Sequence, residues 1–155
     1  MGAPRRPVAV SGIPDGVVLY DGICVLCSFW FRFVVRRDPG ARFRFAQIQG
    51  SYGQALAGRL GIDPNVPETN VFITADVAYF RSDAPLQILR RLPGWRWTGV
   101  LLAVPRPVRD WLYDRVARNR YRLFGRTETC LMPSAELKRH VFDEPAHGPC
   151  DGIGV

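Results

Sequence analysis

Apolar and polar positions change period several times along the chain, and each change marks an element. Val17–Tyr20 is a short unbroken apolar run, the pattern of a buried strand. Asp21-Gly22 closes it with turn chemistry. From Cys24 to Arg37 the period becomes helical. Cys27, Phe31, Val34 and Val35 form one stripe, and Ser28, Arg32 and Arg36 form another. Asp38-Pro39-Gly40 stops that helix. Arg42–Gln47 alternates, with Phe43 and Phe45 facing one way and Arg42 and Arg44 the other, as in a half-buried strand. Ser51 caps a helix that runs to Leu60 and ends at Gly61. A loop holding Pro64 and Pro67 follows. Asn70–Thr74 and Val77–Phe80 then read as two strands joined by a tight turn at Ala75-Asp76. Ser82 or Asp83 caps a third helix, with Pro85 in its first turn and Leu86, Leu89 and Leu92 on its inner face. Pro93-Gly94 ends it.

The predicted order is β-α-β-α-β-β-α. The first two strands need a helical crossover and are therefore expected to be parallel. The last two are joined too tightly to be anything but antiparallel. An α/β fold with a mixed four-stranded sheet and flanking helices follows, which is the thioredoxin topology. The remaining third is helical in character. Pro107 opens a helix whose Val108, Trp111, Leu112 and Val116 make an amphipathic stripe, expected to bury against the core as an appended C-terminal helical segment. Residues 1–15, rich in Pro, Gly and Arg, read as a flexible leader. Residues 16–142 read as a single domain with its helical extension, and residues 143–155 as a loose tail.

Composition supports one domain. The chain has 155 residues and is 47% apolar, enough for a core without disulfide or metal staples. The N-terminus shows no signal-peptide pattern, and the longest apolar run, Val100–Val104, is far short of the roughly 20 residues that span a bilayer. A cytoplasmic setting is the expectation. The net charge of +7 comes almost wholly from arginine, Lys138 being the only lysine. Arg106–Arg126, with Trp111, Tyr113, Tyr121 and Phe124 interleaved, invites a nucleic-acid reading. No nucleic-acid motif accompanies it and the aromatics fall at core spacing. An arginine-rich outer face is the favoured reading, with no specific nucleic-acid partner. Trp95, Trp97 and Val100–Val104 nearby add a second option, weak contact with an anionic membrane surface.

The cysteines carry the chemistry. Four are too few for a secreted disulfide scaffold, and two of them sit together in Cys24-Val25-Leu26-Cys27, with Cys130 and Cys150 far downstream. Cys24 falls where a strand hands over to a helix. Free N–H groups and the helix dipole there favour a thiolate, and the side chain is expected to reach solvent. Cys27, one turn on and in line with Phe31, is within disulfide reach and faces inward. An activated thiol with a second thiol behind it is what disulfide exchange needs. Val25 and Leu26 add no positive charge, so the dipole alone would lower Cys24 by roughly one pKa unit. Asp21 has two readings: a proton acceptor during exchange, or a cap for the following helix. If it approaches Cys24, its charge opposes the thiolate. The competing reading is a non-catalytic zinc-stabilised or basic interaction module. Zinc would need two further ligands, from among Cys130, His140, His147 and Cys150.

Tyr20-Asp21-Gly22-Ile23-Cys24-Val25-Leu26-Cys27 resembles the D-G-x-C-x-x-C signature of the DCC family of thiol–disulfide oxidoreductases. Arg42-Phe43-Arg44-Phe45-Ala46 resembles the family's second strand, and Ser82-Asp83-Ala84 the motif that opens its third helix. Arg118-Asn119-Arg120-Tyr121-Arg122-Leu123-Phe124-Gly125 resembles its late basic-aromatic motif. The likeness runs over roughly residues 17–130. It implies a thioredoxin-like fold and a thiol–disulfide oxidoreductase activity, with Asp21, Cys24 and Cys27 as the residues behind the family's name. No cofactor is expected. The implied partners are a disulfide-containing protein or small thiol substrate, and a reductant system. The wider thioredoxin class places a cis-proline before its third strand; here Pro67 lies nearby, three residues short of Val71.

Overall fold

The computed structural model of the chain describes residues 6–22, 24–63, 70–125 and 139–141. The strands are β1 (Val8–Ala9), β2 (Val17–Tyr20), β3 (Arg44–Gln47), β4 (Val71–Thr74) and β5 (Val77–Phe80). The helices are α1 (Val25–Val35), α2 (Ser51–Leu60), α3 (Asp83–Leu89) and α4 (Arg106–Leu123), with a 3₁₀ segment at Arg96–Ala103. The sheet order is β1-β5-β4-β2-β3. β2 and β3 run parallel, while β2–β4 and β4–β5 are antiparallel. This is the thioredoxin-like arrangement that the element order implies, with one addition. Part of the expected leader is β1, which pairs antiparallel with β5 and turns four strands into five. The Val10 N–H extends that pairing to the Asp76 carbonyl at 2.8 Å.

The sheet separates two apolar layers, and the two-residue period of each strand supplies both. In β2, Val17 and Leu19 join Leu56, Leu60 and Ile73 under α2. Val18 and Tyr20 point the other way, to Phe31, Val34, Phe45 and Phe72 under α1 and α3. Tyr20 stacks on Phe31 with centroids 5.4 Å apart, and Phe31 meets Phe45 edge-on at 4.5 Å. Both cysteines of the C-x-x-C belong to this second layer.

Close approach of α2 to β3 requires a glycine. A Cβ on Gly53 would sit 1.8 Å from the Gln47 carbonyl oxygen. Gly61 ends α2 in the left-handed region at φ 69°, as its sequence position implies. The stop after α1 is tied down further. Asp38 is fully buried and accepts the Phe43 N–H at 2.9 Å. His140 Nε2 donates to the Asp38 carbonyl at 3.1 Å, and Val141 bridges to Phe45.

Two expectations about helix faces change. In the α3 region the buried stripe is Ala84, Ile88 and Leu92, with Leu86 and Leu89 only half-buried. α4 is turned further. Val108, Trp111, Leu112 and Val116, expected to bury, are all exposed. The opposite face packs inward through polar contacts. Arg81 pairs with Asp114, Ser82 Oγ donates to Asp110 at 2.6 Å, and Arg109 and Arg106 hold Asp83 at 2.7 and 3.2 Å. Ion pairs and hydrogen bonds with fixed partners on α3 and its approach fix the helix's rotation, and the apolar stripe is left outside. Among the described residues no helix is long and apolar enough to cross a membrane.

This geometry separates two substitutions of similar chemistry. Phe31→Ala should cost about 3–5 kcal/mol in urea unfolding. Leu112→Ser should stay within about 0.5 kcal/mol of the parent protein. An equal loss for both would place the Leu112 side of α4 against the core after all.

Candidate active site

Cys24 is the N-cap of α1, with φ −83° and ψ 122°, and its Sγ accepts the Cys27 N–H at 3.4 Å. The helix therefore takes its cap from the thiol, and no acidic side chain lies in its first turn. The Cys24 N–H turns back to the Asp21 carbonyl at 3.4 Å. Both cysteines are free thiols. Burial corrects one expectation: Cys24 is 0% exposed, no more open than Cys27 at 3%. The strand-to-helix junction lies at the core face of the sheet, so the first cysteine is enclosed along with the second.

The two thiols are displaced in opposite directions. Cys24 is lowered to about 6, first by a hydrogen bond from the Cys27 thiol. The Cys27 N–H and the Arg120 charge act the same way, while burial and the Asp21 charge oppose. Cys27 is pushed well above the usual thiol range, because its proton is held by Cys24 and because it is buried. The lowering of Cys24 exceeds what a helix dipole supplies, and a neighbouring thiol and a distant arginine account for the difference. Asn70 Oδ1, 3.8 Å from Cys27 Sγ, is a second acceptor within reach of that thiol.

Asp21 is 2% exposed and sits at the centre of a polar knot. Gln49 Nε2 donates to its Oδ1 at 2.7 Å, and Arg120 Nη2 donates to Oδ2 at 3.1 Å. The Tyr121 hydroxyl donates to the same oxygen, and Arg120 Nη2 also reaches the Tyr121 hydroxyl oxygen at 3.1 Å. Burial and the hydrogen bond to Asp21 push Tyr121 up to about 12, which keeps it a donor. Gln49 Oε1 accepts the Gly22 N–H at 3.1 Å, so one side chain fixes both residues of the turn. The N-cap position itself belongs to Cys24, whose sulfur accepts the Cys27 N–H, while the partners of the Asp21 carboxyl include Gln49, Arg120 and Tyr121.

α4 completes the site. Its Tyr113 hydroxyl accepts the Asn70 N–H at 3.1 Å, and Arg120 reaches Asp21 across 99 residues of chain. A cleft of about 170 Å³ opens between α1 and α4, lined by Leu26, Cys27, Trp30, Tyr113, Val116 and Arg120 among others. Sequence reasoning identified Asp21, Cys24 and Cys27 and missed Gln49, Asn70, Tyr113, Arg120 and Tyr121. The signal for two of these was present in the late basic-aromatic motif, where Arg120 and Tyr121 stand side by side. Among the zinc candidates, His140 lies beside Asp38 at the β3 edge, and Cys130, His147 and Cys150 lie outside the described residues, as does Pro67. Among the described residues no three His, Cys, Asp or Glu side chains form a metal-binding group.

Comparison with known proteins agrees with this architecture. A family model described as DCC1-like thiol-disulfide oxidoreductase matches residues 18–126, which takes in the cysteine pair, Asp21 and Arg120 alike. The chain is 38% identical over 131 residues to the uncharacterized protein YuxK of Bacillus subtilis (strain 168), covering 84% of this chain and 96% of that one. It is 36% identical over 116 residues to the chloroplastic DCC family protein At1g52590 of Arabidopsis thaliana, covering 74% of this chain and 67% of that one. No solved structure matches.

The signs of the two charges beside the pair give a direct test. Arg120→Gln removes a group that favours the Cys24 thiolate, and the pH midpoint of Cys24 alkylation should rise by about one unit. Asp21→Asn removes a group that opposes it, and the midpoint should fall by a similar amount. Movement of both variants in the same direction would contradict the electrostatic arrangement.

Proposed function

The chain belongs to the DCC1-like thiol–disulfide oxidoreductase family, and from that membership we propose that it reduces or exchanges disulfides, with Cys24 as nucleophile and Cys27 as resolving thiol. The observation that carries the assignment of roles is the place of Cys24 at the N-cap of α1, where its Sγ accepts the Cys27 N–H, and the opposite displacement of the two thiols, Cys24 downward and Cys27 upward, agrees with it. At neutral pH Cys24 is the thiolate and Cys27 keeps its proton.

In the first step the Cys24 thiolate attacks one sulfur of a substrate disulfide. A mixed disulfide forms and one substrate thiolate leaves. Once Cys24 is bonded, it no longer accepts from Cys27, and the main cause of the raised Cys27 value is gone. Cys27 then loses its proton and attacks Cys24 Sγ. The Cys24–Cys27 disulfide forms and the second substrate thiolate leaves. Asp21 has two parts in this reading. It anchors Arg120 beside the pair, and it is the acidic group at hand to take the Cys27 proton. Arg120 steadies negative charge on either sulfur. The oxidised pair returns to the dithiol by exchange with a reducing thiol or dithiol, and a disulfide-containing protein or small disulfide serves as substrate. A cytoplasmic setting belongs to the same reading, in keeping with a C-x-x-C pair in a cysteine-poor chain. Because Cys24 is fully enclosed, attack on a substrate requires local opening of the site.

Replacement of each cysteine separates the steps. Cys24→Ser should abolish both exchange and alkylation near pH 7, read with a model disulfide and by mass spectrometry. Cys27→Ser should still attack but accumulate a mixed disulfide on Cys24. Normal turnover by Cys27→Ser, or an adduct trapped on Cys130 instead, would remove the two-cysteine mechanism.

A further inference from the structure

The largest feature that disulfide exchange does not use is the outward side of α4 and the 3₁₀ segment before it. Val108, Trp111, Leu112 and Leu123 lie on one side of α4 at helical spacing, and all are exposed. Trp97 and Val100 of the 3₁₀ segment add to the exposed apolar surface. Trp111 is 63% and Val100 74% accessible, and several large exposed apolar side chains in consecutive elements, unlike single scattered ones, mark an interaction surface. The charges on this stretch are one-signed. Over residues 96–125 the exposed charged side chains are Arg96, Arg115, Arg118 and Arg122. The two acids of α4 are turned away: Asp114 pairs with Arg81, and Asp110 accepts from Ser82. Arg115 lies over the Trp111 ring at 5.7 Å, which keeps a cation on the apolar side.

We propose that this side of α4 and the 3₁₀ segment docks the protein on an anionic lipid bilayer surface. Arginines flanking exposed Trp, Leu and Val side chains match such a surface twice over. The apolar side chains enter the headgroup boundary and the guanidinium groups meet lipid phosphates. Charge decides against a second copy of the chain. A two-fold pairing would lay arginine against arginine, with no exposed acid on the stretch to answer them. Nucleic acid would satisfy the arginines and leave Val100, Leu112 and Leu123 without partners. Val116 borders both this side and the cleft lined by Cys27, so docking brings the thiol pair close to the membrane plane.

The test is sedimentation of the full chain with phosphatidylglycerol–phosphatidylcholine vesicles and with phosphatidylcholine vesicles alone, together with tryptophan emission. Binding to the anionic vesicles only is expected, with a blue shift that Trp111→Ser reduces and Trp111→Ser combined with Trp97→Ser abolishes, and an affinity that falls as salt rises. Trp111→Ser combined with Leu112→Ser, and Arg115→Glu combined with Arg118→Glu, should each weaken binding by about tenfold or more. Cys24 alkylation in these variants should match the parent, which shows that the fold is intact. Four results would overturn the proposal: no binding to either vesicle; binding untouched by both double variants; a dimer in solution that Trp111→Ser dissolves, which assigns the surface to a second copy; or binding only after residues 143–155 are removed, which assigns it to the chain's own acidic end.

Discussion

The contact between Asp21 and Arg120 is the constraint on which the rest of the site depends. It joins the turn before the first cysteine to the last turns of α4, with both side chains nearly enclosed. A buried ion pair gains little over a well-packed apolar pair, but losing one partner strands a charge and costs about 3–5 kcal/mol. Such a contact is therefore better at fixing one arrangement than at adding stability. Here it fixes the position of α4 against the C-x-x-C turn. It also holds an arginine where it can act on both sulfurs. Gln49 and Tyr121 complete the bonding of Asp21, and Gln49 extends it to the Gly22 backbone. The turn that presents Cys24 is thus held from the connection after β3 on one side and from α4 on the other.

That arrangement makes the appended helix part of the candidate active site. In a C-x-x-C at a helix N-terminus, the backbone N–H groups and dipole supply a modest preference for thiolate. The acid of the D-G turn works against it. An arginine beside that acid converts an opposing charge into an anchored pair whose cation still faces the sulfurs. The cleft between α1 and α4 follows from the same placement, because Tyr113, Val116 and Arg120 form its far wall and Cys27 lies on its near one. Family membership over residues 18–126 fits this view, since the matched region runs through α4 and does not stop at α3.

The polar inner side of α4 has a cost and a use. Arg81–Asp114 and Arg109–Asp83 lie partly buried, where fixed geometry matters more than net gain. Turning these groups inward obliges Trp111 and Leu112 to face outward. An exposed apolar stripe is tolerable on a monomer only if something covers it or if it meets an apolar environment. One choice of helix rotation thus sets both the redox site and the outer surface.

The fold was largely legible from periodicity. Every strand and helix from Val17 to Leu89 lies within two or three residues of its expected bounds, and the parallel β2–β3 and antiparallel β4–β5 pairings follow from connection length alone. The cysteine pair was legible too, because C-x-x-C after a strand is a local signal. β1 was not, since two exposed residues in a Pro- and Gly-rich stretch carry no pattern, and an edge strand of that length is defined only by the partner it finds. The burial of Cys24 was not legible either, because enclosure comes from elements distant in sequence. Nor was the rotation of α4. Hydropathy favoured Val108, Trp111, Leu112 and Val116 as the inner stripe, but hydropathy weighs side chains singly and cannot see that Asp110, Asp114, Arg109 and Arg120 each have a partner waiting. By itself, then, the sequence determined the order of elements, the two layers of the sheet and the position of two thiols at a helix start, all of which rest on neighbours a few residues apart. Only the tertiary structure decided how deeply both thiols are enclosed, that Arg120 joins Asp21 beside them, and which face of α4 is hidden, because each depends on side chains that meet across long stretches of chain.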